Sequence, residues 1–138
     1  MAIDVEALLA RVVAEIFDEN VSIVLEDAAA KRPQTYCAHL HSAAQDRRAH
    51  LCATYEWFEL RIPDLDVSVT LFDYDDDDAP KDDALRELGL VARAYLDGEG
   101  CIESRRRFLR RGTSQRLTLD VNDRQWQFGK HASSVPYP

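Results

Sequence analysis

Across residues 55–74 apolar side chains fall on every second position, with one interruption at Pro63-Asp64. Phe58, Leu60 and Ile62 alternate in the first arm, and Leu65, Val67, Val69 and Leu71 alternate in the second. A period of two sends successive side chains to opposite faces of a pleated strand, so this stretch demands two strands that share one buried face. Folding the arms about the interruption sets Ile62 by Leu65, Leu60 by Val67 and Phe58 by Val69. Pro63 does not suit the primed turns of tight hairpins, so a longer or bulged loop and a shifted register are allowed.

Two other segments carry the helical period. Over residues 2–19, Val5, Leu8, Leu9, Val12, Val13, Ile16 and Phe17 form one wide apolar stripe opposite Asp4, Glu6, Arg11, Glu15 and Asp18. Over residues 80–97 the stripe is Leu85, Leu88, Val91, Ala92, Tyr95 and Leu96. Pro80 suits the first helical position there, Asp82 and Asp83 the positive end of the dipole, and Gly98 the cap at the far end.

The remaining segments read as further strands. Val21 to Leu25 is short and β-branched, and a polar connection over residues 26–34 follows it. Residues 35–40 and 50–54 flank a polar loop. A hairpin there sets Leu40 opposite Leu51, Ala38 opposite Ala53, His41 opposite His50 and His39 opposite Cys52. A helix over residues 42–53 satisfies the same apolar spacing, and periodicity leaves the two open. Residues 101–109 read as a strand, and residues 116–128 as a hairpin about Asn122-Asp123 that pairs Leu117 with Phe128 and Leu119 with Trp126.

The expected fold is α+β, an antiparallel sheet of about six strands with two helices packed on one face, in the order α-β-β-β-β-α-β-β-β. With 138 residues there is room for one ordinary core, so residues 1–138 are read as one domain, with 132–138 a loosely docked tail. The opening residues carry acid where an export signal needs a basic region, and no apolar run is long enough to span a membrane. Three cysteines without metal-type spacing fit free thiols in a reducing compartment, so cytoplasm is the expected location. Arginine outnumbers lysine and alanine is frequent, as in chains from GC-rich bacterial genomes.

A net charge of −8 argues against general nucleic-acid binding, which needs a basic surface to neutralise phosphates. The basic stretch over residues 105–111 reads instead as a solvated edge strand, and its separation from the aspartates permits self-association into a homodimer. Cys37, His39, His41, His50 and Cys52 gather soft donors on one face of the proposed hairpin, so they are candidate metal ligands despite lacking the usual zinc spacings. No cofactor motif is present.

The acidic run Asp75, Asp76, Asp77 and Asp78 lacks the glycine and distal glutamate of a calcium loop. Its neighbours give it another meaning. Tyr55, Trp57, Phe72 and Tyr74 occupy the face opposite the core, at the end of the strand pair where the aspartates begin. Aromatic anchors beside a strong charge are the parts of a protein interface, provided no other element covers that face. The sequence therefore leads to an expected function: a non-enzymatic acidic module that binds another protein's basic surface, as immunity proteins and antitoxin-type inhibitors mask an active site. Two alternatives stand beside it. One is a dimeric protein similar to bacterial secretion chaperones, whose element order this chain resembles, and the other is a small metal-dependent enzyme built on the His/Cys cluster.

Overall fold

A computed structural model describes residues 4–27, 35–74, 78–106 and 113–129. Helix α1 (Val5–Ile16) precedes strands β1 (Val21–Asp27), β2 (Tyr36–Ser42), β3 (Arg47–Ala53), β4 (Trp57–Ile62) and β5 (Val67–Phe72). Helix α2 (Asp78–Leu96) and strands β6 (Cys101–Arg106), β7 (Thr113–Val121) and β8 (Arg124–Phe128) follow. The fold is α+β with antiparallel strands throughout. The strands are divided, however, between a five-stranded sheet β1-β2-β3-β4-β5 and a three-stranded sheet β6-β7-β8. Among the described residues, one bridge between Ser68 and Gly129 joins them. The expected tail at 132–138 lies outside the described residues.

Local chemistry sets the start of α1 and the end of α2, while α2 begins at Asp78, two residues before the expected Pro80. The Asp4 carboxylate accepts from the Ala7 backbone amide and closes the N-terminus of α1. At the far end of α2, Gly98 takes a φ of 97°. There the Glu99 amide donates to the Ala94 carbonyl and the Gly98 amide to the Tyr95 carbonyl, the two bonds of a Schellman cap. Gly89, in the middle of α2, lies where a Cβ would come within 2.5 Å of Cδ1 of Ile16. A glycine costs about 1 kcal/mol inside a helix, and here it lets α1 and α2 approach closely.

Side-chain faces follow the sequence pattern, while strand partners differ from those expected. In the β2–β3 hairpin Leu40 faces Ala49 and Ala38 faces Leu51, and in the β4–β5 hairpin Ile62 faces Val67, Leu60 faces Val69 and Phe58 faces Leu71. Both registers are displaced by two residues from the simplest folding of the sequence. Residues 43–46 and 63–66 form four-residue turns, shorter than the polar loop expected in the first hairpin and longer than the Pro63-Asp64 turn expected in the second, and each ends in an aspartate, Asp46 and Asp66, with φ of 48° and 52°. Aspartate tolerates this left-handed region better than most residues. A displacement of two keeps every side chain on its own face, which is why the buried pattern survives. The helix over residues 42–53 is excluded, because β3 occupies that segment. In the β7–β8 hairpin, Asn122 and Asp123 both take positive φ and close a two-residue turn, and Leu117–Phe128 and Leu119–Trp126 pair as the sequence indicates.

The inner face of the large sheet is apolar, and its centre is enclosed. Ala38, Leu40, Ala49, Leu51, Phe58, Leu60, Ile62 and Val69 are at most 1% exposed. They meet α1 over β2 and β3, and α2 over β3 and β4. Because α2 also packs on β7, Leu117, Leu119, Trp126 and Phe128 join the same core. Each such side chain contributes about 1.5–3 kcal/mol by leaving water.

Candidate functional site

Both helices occupy the inner face, and Trp57 and Phe72 stand on the other side. Trp57 opens β4 directly opposite Phe72, the last residue of β5. Extending the sequence pairing of Phe58 with Val69 would set Phe72 opposite Tyr55, and the longer turn at 63–66 moves the partner by two residues. Phe72 is 57% exposed and Tyr74 67% exposed, and their rings stack with centroids 6.0 Å apart and planes 16° from parallel. Trp57 is half-buried beside them. Tyr55 stands apart in the link between β3 and β4, half-buried against the core. Of the acidic run, Asp75, Asp76 and Asp77 lie outside the described residues. The chain enters them from Tyr74 and leaves them at Asp78, the first residue of α2.

What fixes this end of the sheet is a residue that pattern reading passes over. Lys81 is completely buried, and its ammonium donates to the carbonyls of Tyr55 and Asp73 at 2.7 Å each. The same nitrogen lies 3.6 Å from Oδ1 of Asp73 and 4.7 Å from the centroid of the Tyr55 ring. A buried cation is tolerable only when paired and hydrogen-bonded, and these groups meet that need. Lys81 thereby ties the β3–β4 link to the end of β5 and sets the place from which Tyr74 and the aspartates depart. The sequence does carry a signal: Lys81 falls on the same helical stripe as Leu85, Leu88 and Ala92. A charge on an apolar stripe implies a buried partner.

Charge is organised on the helices as well. Arg11 bonds Asp82 across the α1–α2 seam, while Arg86 reaches both Glu15 at 2.6 Å and Asp82 at 3.1 Å. Burial pushes the Asp82 carboxyl up, but hydrogen bonds and charge from Arg86 and Arg11 outweigh it and hold the group below the ordinary aspartate range. Hydrogen bonds to Glu15 and Asp82 in turn raise Arg86. The phenol of Tyr95 is raised mainly by burial, against the opposing charge of Arg47.

The candidate metal ligands are distributed by the two-residue displacement in β2–β3. Cys37 faces Cys52, and His39 faces His50, on the outer face of the sheet. Cys37 and Cys52 form a disulfide with Cα atoms 4.1 Å apart, and Cys101 is free and exposed. The expectation of three free thiols is corrected: the register needed to see the pairing depends on a turn length that periodicity does not reveal. His39 and His50 meet edge to face with ring centroids 4.2 Å apart. His41 lies across from Arg48, with its Nε2 3.3 Å from Oδ1 of Asp46. With the sulfurs joined, no group of three or more His, Cys, Asp or Glu among the described residues is arranged to hold a metal ion.

Other features are secondary. A recess of about 290 Å³ opens between the first turns of α1 and the sheet edge, lined by Asp4, Glu6, Ala7, Leu9, Leu25 and Tyr36 among others. Beside it, the edge strand β1 exposes Val24 and Leu25. Of the basic stretch, Arg105 and Arg106 stand on β6 and residues 107–111 lie outside the described residues. No helix among the described residues is long and apolar enough to cross a membrane. Set against known protein families, characterised proteins and solved structures, the chain finds no match, so its function rests on these surfaces alone.

Proposed function

We propose that this protein is a non-enzymatic binding module that masks a basic surface of another protein, acting as an immunity or antitoxin-type inhibitor. The observation that carries this reading is the stacked, exposed pair Phe72 and Tyr74 beside Trp57, at the point where the chain enters its aspartate run. Large aromatic side chains held in place and left open to water are the usual anchors of a protein interface. The aspartates and the net charge of −8 supply long-range attraction to a basic partner. In this reading the end of the sheet, fixed by Lys81, covers the partner's active site while the acidic run accelerates encounter.

The test is affinity capture from the native host's lysate at low and high salt, followed by binding kinetics with the captured partner. Tyr74→Ala and Trp57→Ala are expected to weaken binding by about 2 kcal/mol or more, roughly 30-fold, chiefly through faster dissociation. Replacing Asp75, Asp76, Asp77 and Asp78 with Asn is expected to slow association and flatten its salt dependence. A partner bound with unchanged rates by both sets of variants removes the proposal.

A second reading is favoured by the edge strand. Val24 and Leu25 are exposed on β1 next to the recess under α1, an arrangement suited to an extended client segment that adds a strand, as a secretion chaperone would bind it. An unfolded client captured in place of a folded enzyme, with binding sensitive to Leu25→Asp and indifferent to Tyr74→Ala, selects this reading over the first.

A further inference from the structure

We infer that the Cys37–Cys52 disulfide is the oxidised form of a zinc-type metal site completed by His39 and His50. In the register of β2 and β3 these four residues form two adjacent cross-strand rows on one face, Cys37 opposite Cys52 and His39 opposite His50. The donors are two thiolates and two imidazoles, the set that selects a tetrahedral divalent metal of intermediate softness. Two thiolates cancel the charge of the ion, so the loaded site is neutral. All four side chains are half-buried, accessible to a reductant and an ion yet partly shielded from water, and Nε2 of His39 is enclosed.

The register sets the four donor residues on one patch of the outer face. The rows are separated by about 6.7 Å along the strands. Metal–sulfur and metal–nitrogen bonds are about 2.3 Å and about 2.1 Å. The short cysteine side chains therefore bind an ion lying close above their own row, and the longer imidazoles span the gap from the next. The His39 and His50 rings already sit 4.2 Å apart, centroid to centroid.

Opening the S–S bond does not dismantle the scaffold. Both strands are interior to the sheet, β2 between β1 and β3, and β3 between β2 and β4. Their opposite faces are locked by Ala38, Leu40, Ala49 and Leu51. The four donors are thus held in place by backbone ladders and core packing that do not depend on the bridge. In the switching step a dithiol gives two electrons and two protons to the disulfide: its own sulfurs join, and Cys37 and Cys52 become thiols. A divalent ion then displaces the two thiol protons as the metal–sulfur bonds form. In the reverse direction a small-molecule disulfide takes the two electrons from the bound sulfurs and two protons from water, opens to two thiols, and leaves Cys37 and Cys52 joined and the ion released.

The test uses cobalt(II) and zinc on the purified protein, before reduction and after reduction with removal of the reductant. The reduced protein is expected to take up one cobalt per chain, with tetrahedral ligand-field absorption and a thiolate charge-transfer band, both abolished by zinc. The disulfide form is expected to show neither. Cys52→Ser abolishes the charge-transfer band and His50→Asn the tetrahedral spectrum, while His41→Ala, one row further along, leaves both unchanged. Circular dichroism of His50→Asn distinguishes a lost ligand from a lost fold. Failure of the reduced protein to bind cobalt, or a cobalt spectrum that is the same in folded His39→Asn and His50→Asn variants, overturns the inference.

Discussion

The two faces of the five-stranded sheet are made from the same strands and obey opposite rules. On the inner face Phe58, Leu60, Ile62 and Val69 are fully enclosed and interchangeable in kind, each contributing volume and burial. On the outer face one strand after another presents a different chemistry: histidines and a disulfide on β2 and β3, Trp57 on β4, Phe72 on β5. The difference shows that stability and recognition are separated by the pleat itself. A residue can be altered for one purpose while its immediate neighbour, 180° away, serves the other.

That separation has measurable consequences. The largest effect is expected on the inner face, where Phe58→Ala should lower unfolding free energy by about 3–5 kcal/mol in urea denaturation. A loss under half of that would mean the core is loosely packed and the contrast overstated. Lys81→Met comes next, at about 1.5–3 kcal/mol, because it keeps the buried volume and strands the Tyr55 and Asp73 carbonyls without their charged donor. Lys81 sharpens the comparison, since it is a core residue whose work is to place an outer-face feature. Its replacement should also weaken partner binding, which Phe58→Val should not. Phe72→Ser, on the outer face, should change stability by no more than about 0.5 kcal/mol. A larger loss would show that the stacked pair supports the fold.

The smallest effect lies on the seam between the helices, away from both faces. The Asp82 carboxyl is held below its ordinary range, so its contribution to stability is complete above the unbound value of 3.8 and lost as pH falls through the lower folded-state value. Asp82→Asn should therefore lower stability slightly at neutral pH, leave the acid extreme unchanged, and so make the acid limb of the stability profile shallower. An acid limb of unaltered steepness would mean that Arg11 and Arg86 find other partners.

What could be read from the sequence divides along the same physical lines. Faces were legible, because a period of two or of 3.6 assigns each residue to a side without knowledge of its partner. Partners were legible only where the turn declared its own length: Asn122-Asp123 suits a two-residue turn, and that hairpin pairs as expected. Around Asp46 and Asp66 nothing in the pattern counts the loop, and both registers moved by two. The disulfide was hidden by that uncertainty alone, since Cys37 and Cys52 already shared a face. Of the candidate binding residues, Trp57, Phe72 and Tyr74 come together, whereas Tyr55 is drawn aside by Lys81, whose partners are backbone carbonyls that no side-chain pattern encodes.

The buried lysine has a counterpart. At the opposite end of α2, Arg47 donates to the carbonyls of Tyr95 and Glu99 and lies over the Tyr95 ring. One cation from the β2–β3 hairpin thus grips the C-terminal end of the helix, while the helix's own Lys81 grips the links at the ends of β3 and β5. A rod held at one end can swing, but a rod held at both ends is a beam. Helix α2 accordingly couples the two ends of the sheet into one cooperative unit, in which the aromatic end cannot come loose without giving up the contacts that hold the helix.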